Sequence, residues 1–198
     1  MNNGQPQLFK KWRRGKDSAG FASFTHWIAG DKVKVEIADV NPATDKINSL
    51  SSCYLDIGPF LSYLHAETYG IARRVYPNMV QSKYHGFVVY GGRKISRVFK
   101  SEDWAFKFDK PDDFEPSPVR RFTCGEYEIK QGSKTSEPDW SKKLSSNSIQ
   151  MKPDEISQLY HALLISQQAL VAGAYASGVD LDEYRKQFES KWEKPDVG

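Results

Sequence analysis

A chain of 198 residues, 39% hydrophobic and 27% charged, has room for one large domain or two small ones and is not a disordered polymer. No apolar run approaches the ~18 residues of a membrane span, and the basic stretch of residues 1–16 has no apolar segment behind it, so no secretory leader is expected. The net charge is only +3, but it is segregated: Lys10, Lys11, Arg13, Arg14 and Lys16 in residues 1–16, and Arg73, Arg74, Lys83, Arg93, Lys94, Arg97 and Lys100 in residues 71–100, have no acid among them.

In chain order, residues 21–28 (FASFTHWI) are aromatic and β-branched and predict a strand, ended by the turn Ala29-Gly30-Asp31. Residues 32–37 (KVKVEI) alternate strictly, with Val33, Val35 and Ile37 on one face, as a half-buried strand requires. After the turn at residues 41–45, a third strand runs to about Ile57, with Cys53, Leu55 and Ile57 facing one way and Tyr54 and Asp56 the other. Gly58-Pro59 opens a helix that ends near Gly70.

Residues 84–90 predict the next strand, Gly91-Gly92 a hairpin turn, and residues 95–100 the returning strand. Residues 104–108 alternate again, and residues 111–118, with three prolines, predict a loop. Residues 119–129 read as one bent strand or as a hairpin at Cys124-Gly125. Residues 132–146 read as a polar loop and residues 148–151 as a short strand. Helical spacing from Pro153 to Tyr175 places Ile156, Leu159, Tyr160, Leu163 and Leu164 on an apolar face. Past Gly178, residues 180–192 predict a polar helix.

The fold class expected is therefore α+β: two antiparallel strand groups, each followed by an α-helix, plus a polar C-terminal helix. An internal repeat is also expected. Laying residues 46–66 on 142–162 matches Lys46, Ser49, Ser52, His65 and Ala66 with Lys142, Ser145, Ser148, His161 and Ala162. The organisation is then a basic segment (1–20), a first repeat (21–70), a linker (71–83), a second repeat (84–178) and a C-terminal helix and tail (179–198).

Catalytic signatures are missing: there is no Walker loop, GxSxG, HExxH or GxGxxG. Cys53 and Cys124 lack CxxC spacing and are expected to be reduced thiols in the cytoplasm. His26, His65, His85 and His161 lack metal-ligand spacing. The acids Asp109, Asp112, Asp113 and Glu115 lie in a proline-rich stretch that holds no rigid carboxylate pair. A non-enzyme without cofactor or metal is expected.

Single-strand binding needs cations along the phosphates and flat side chains against the bases. Two stretches interleave them. One holds Lys10, Lys11, Trp12, Arg13 and Arg14; the other holds Tyr90, Arg93, Lys94, Arg97, Phe99 and Lys100. If Val98 faces the core, Arg97 and Phe99 share an open surface; with the opposite parity Phe99 is a core residue. Trp27 shares the parity of Phe21 and Ser23 and is the candidate aromatic of the first strand group.

Two strand groups each closed by a helix, with matching junctions at Ser52–Ala66 and Ser148–Ala162, resemble the single-strand-binding fold shared by the positive-cofactor-four coactivators and the plant Whirly proteins. The resemblance covers element order over residues 20–175. It implies that one chain mimics a twofold pair of strand-then-helix halves and that the partner is single-stranded nucleic acid, DNA favoured. The Whirly lysine-rich signature is absent, so no site residue is carried over. A small basic chain with a polar C-terminal extension is also similar to accessory proteins of phages and conjugative elements. The alternative is a protein-binding accessory or inhibitor module, since aromatics and arginine are enriched in both kinds of interface. Monomer and homo-oligomer both stay open.

Overall fold

The computed structural model describes residues 5–15, 18–69, 87–103 and 119–188. Sheet I is an antiparallel meander of β1 (Gln7–Arg14), β2 (Ala19–Trp27), β3 (Lys32–Val40) and β4 (Ile47–Asp56), followed by α1 (Ile57–Thr68). Sheet II repeats the order with β5 (Val88–Gly91), β6 (Ser96–Asp103), β7 (Arg120–Ile129) and β8 (Pro138–Met151), followed by α2 (Pro153–Ser177). A short helix, α3 (Leu181–Lys186), comes after α2. This is the α+β class that the alternating patterns predict.

The two halves match in register as well as in order. Val33 stands opposite Leu55 in sheet I as Arg120 stands opposite Met151 in sheet II. On the edge strands, Trp12 opposite Phe21 corresponds to Tyr90 opposite Val98. The helices begin at Ile57 and Pro153, 96 residues apart, so the offset seen at the sequence junctions persists in the structure.

Period-two alternation sends one face of each sheet inward. Val33, Val35, Ile37, Cys53 and Leu55 from sheet I meet Phe99, Phe122, Cys124, Ile149 and Met151 from sheet II in one core with residues of α1 and α2. Its centre is aromatic: Phe99 lies 5.3 Å from Phe122 and 5.7 Å from Phe60, both edge-on, and Phe24 reaches Phe122 across the sheets at 6.1 Å. Of the predicted face of α2, Ile156, Leu159, Tyr160 and Leu163 are buried and Leu164 is half-buried.

Polar groups tie the halves together. Cys53 Sγ and Cys124 Sγ, both free thiols, are 3.1 Å apart. Asn147 donates to Ser51 Oγ at 3.0 Å. Arg120 on β7 forms a near-buried pair with Glu67 of α1, its Nε 3.0 and 3.1 Å from the two carboxylate oxygens. Glu155, in the first turn of α2, accepts from the Lys152 backbone N–H at 2.7 Å and from Lys11 Nζ of β1 at 2.6 Å.

Two assignments differ from the sequence patterns, and one open alternative is decided. The basic segment contains a strand, β1, although no strand is evident there. The region read as a polar loop, residues 132–146, supplies the first part of β8. Residues 120–129 form one strand with no hairpin at Cys124-Gly125. The expected strand at 104–108, the proline-rich loop, the linker at 71–83 and the end of the last helix lie outside the described residues.

Candidate nucleic-acid interface

With the inner face of sheet I committed to the core, its other face carries the exposed Trp12, Leu50 and Tyr54 around small buried residues, Ala38 and Ser23, and a second apolar cluster of Ala19, Ala38 and Val40 under Phe21. Register places its side chains. Trp12, Phe21, Ala38 and Leu50 form one row across the sheet; Lys10, Ser23, Glu36 and Ser52 form the next; Thr25, Lys34 and Tyr54 the third; Trp27, Lys32 and Asp56 the last. The face therefore carries aromatics at opposite corners with cations between them.

At the β1–β2 corner, Trp12 is half exposed and packs on Phe21 with ring centroids 5.1 Å apart. Lys10 Nζ sits 4.9 Å from the Trp12 ring and 5.2 Å from the Phe21 ring, a cation held over aromatic faces. At the β3–β4 corner, Trp27 meets Tyr54 edge-on at 5.3 Å, and Lys32 pairs with Asp56 at 2.6 Å. Lys34 pairs with Glu36 at 2.7 Å along the same face. Phe21 and Trp27 are six positions apart on β2, about 20 Å at ~3.3 Å per residue.

The predicted set divides between two places. Lys10, Trp12, Arg14 and Trp27 lie on the outer face of sheet I, with Arg14 3.4 Å from Asp45. Tyr90 on β5, Arg93 and Lys94 in the turn, and Arg97 on β6 lie at one end of sheet II, all exposed. Arg97 Nε is 3.3 Å from Glu126. Arg13 is exposed but has the parity of the inner face. Among the described residues, Lys10, Arg13, Arg93 and Lys94 are cations without an acidic partner.

Three members of the set need correction. Phe99 is fully buried, so it cannot stack on a base; its parity is inward, and the rings of Phe60, Phe87 and Phe122 surround it. Val98 on the other face of β6 is buried too, which removes the exposed strand surface that the sequence suggested. Lys11 also points inward, and its ammonium is held by Glu155 and by the Gln150 carbonyl at 2.8 Å. Lys100 is half-buried and 3.5 Å from Glu102. Sequence reasoning passed over Tyr54, Lys32 and Lys34. The alternation did place Tyr54 on the non-core face, but only the sheet register shows that it touches Trp27.

The two places meet at a cleft between the sheets, of about 350 Å³, whose lining includes Lys32, Tyr54 and Asp56 from sheet I and Tyr90 and Arg97 from sheet II. Elsewhere, among the described residues, no three His, Cys, Asp or Glu side chains converge as a metal site would need, and no helix is long and apolar enough to cross a membrane. His26, fully buried on β2, is held neutral: desolvation lowers its pKa to about 4, while Asp31 opposes that shift and Arg185 reinforces it. Its ring nitrogens bond Ser166 Oγ at 2.7 Å and Gln167 Nε2 at 3.0 Å, so it pins β2 to α2 as a structural group.

Comparison with models of known protein families gives no match, and among curated proteins no significant relative is found.

Proposed function

We propose that the protein binds single-stranded nucleic acid, DNA favoured, without strong sequence preference, and that it acts as a binding protein in the cytoplasm rather than as an enzyme. The observation that carries this reading is the outer face of sheet I. There Trp12 and Phe21 at one corner and Trp27 and Tyr54 at the other flank Lys10 and Lys34 on a surface outside the core. Aromatic faces receive unpaired bases, and cations between them follow the phosphates; a span of about 20 Å accommodates several nucleotides. The element order, β-meander then helix twice over, is the feature on which the Whirly-like resemblance rests, and two free thiols suit a reducing compartment.

Polarisation titrations with labelled single-stranded and duplex oligonucleotides at two salt concentrations test the proposal. The expected result is a preference for the single strand and a steep loss of affinity with salt. Absence of single-strand affinity at low salt would end it.

A second reading, a protein-binding module, is favoured by α2. Its outward side exposes Ile165, Val171 and Tyr175, and residues 156–179 contain no charged side chain. Such a surface suits a protein partner better than a polyanion.

A further inference from the structure

The cleft between the sheets differs from the open face beside it. Two tyrosines line it, one from each sheet, Tyr54 and Tyr90, each about 40% exposed. Its volume of about 350 Å³ lies at the low end of the ~300–1,000 Å³ of small-molecule sites, enough for one small ligand and too little for a chain of them. Of its charged lining residues, Lys32 pairs with Asp56 at 2.6 Å and Arg97 with Glu126 at 3.3 Å. Only Nε of Arg97 engages Glu126, and its terminal nitrogens make no hydrogen bond to a described residue. Gly91, also in the lining and opposite Arg97 in the β5–β6 register, keeps the space open: a Cβ there would meet no atom within 4 Å.

Flat walls, room for one unit and an arginine fork with unused donors are the features that recognise a planar base carrying a phosphate. We infer that the cleft holds a single nucleotide, its base against Tyr54 and Tyr90 and its phosphate at Arg97. Tyr54 belongs to both the cleft and the outer face of sheet I, so a strand lying on that face is led into the cleft at its end or at one everted base. The inference rests on the single-strand reading for the source of the nucleotide.

The test uses the full chain and thymidine 5′-monophosphate, with deoxyribose 5-phosphate as the baseless control, followed by ligand-observed NMR. The expected result is saturable binding of the nucleotide and binding of the control at least about tenfold weaker. Gly91→Leu plugs the cleft from a position with open space in front of it, and Tyr90→Ala removes one wall from an exposed edge strand. Each should weaken nucleotide binding by about tenfold or more, whereas Lys46→Ala, in the exposed β3–β4 turn outside the cleft lining, should leave it unchanged. Lack of saturable nucleotide binding, or binding indifferent to Gly91→Leu in a folded variant, overturns the inference. If oligonucleotides then still bind in a Trp12-dependent way, the face of sheet I stands without the cleft. If the nucleotide binds as expected but oligonucleotides do not, the cleft stands and the single-strand reading falls.

Discussion

His26 and Phe99 show how a single side chain decides between a surface and an interior role. The His26 imidazole accepts or donates at both nitrogens inside the protein, and desolvation holds its pKa near 4, below the ordinary value of 6.5. Between those values the unfolded chain binds a proton that the folded chain refuses. Stability should therefore be intact above pH 6.5 and fall as pH drops toward 4, by up to about 3 kcal/mol from this group. Urea midpoints measured from pH 7.5 to 4 should show a smaller acid loss for His26→Gln than for the wild type; equal slopes would mean that the buried imidazole is not the titrating group. Phe99→Ala should cost about 3–5 kcal/mol, as a truncated core aromatic does. Its effect on strand binding should vanish once the folded fraction is accounted for. A folded Phe99→Ala protein with weakened binding would return Phe99 to the interface.

At the scale of elements, α2 owes its position to its ends as much as to its stripe. Pro153 and Glu155 shape the first turn, and Gly178 closes the helix in the left-handed region at φ 67°. Between them Leu163 is fully buried in the core, so Leu163→Ala should lower stability by about 2–5 kcal/mol in denaturant titrations. A loss under about 0.5 kcal/mol would place the helix at the periphery. This helix was legible because its apolar period is long and its caps are conventional, and β3 was legible because Val33, Val35 and Ile37 alternate without interruption. The edge strand β1 and the first part of β8 were not. Lys10, Lys11, Arg13 and Arg14 hide the alternation of β1. In β8, Ser141 to Leu144 are all exposed, so no buried face gives this stretch a period of two. The same cause limited the site. Tyr54 and Trp12 were each visible as outward aromatics, but their neighbours Trp27 and Phe21 come from pairing between strands, which a single segment does not encode.

For the whole molecule, a net charge of +3 would give only weak attraction to a polyanion if it were spread evenly. It is not, because internal pairs spend many of the cations: Lys11, Lys32, Lys34, Arg97 and Lys142 all contact acids. Of the cations near the aromatic face and cleft, Lys10 and Arg13 on β1 and Arg93 and Lys94 at the β5–β6 turn have no acidic partner among the described residues. Two substitutions separate the contributions of charge and stacking. Lys10→Ala removes an ammonium from above the rings of Trp12 and Phe21; it should reduce the salt slope of single-strand binding by roughly 0.7, the value for one phosphate contact. Trp12→Ala should weaken binding by about 1–3 kcal/mol and leave the slope nearly unchanged, because stacking releases few ions. Duplex binding, whose bases are already stacked, should respond to Lys10→Ala and hardly to Trp12→Ala. If Trp12→Ala weakens duplex and single strand equally, the aromatic is supporting the fold of β1 rather than receiving bases, and the interface must be sought on the uncharged side of α2.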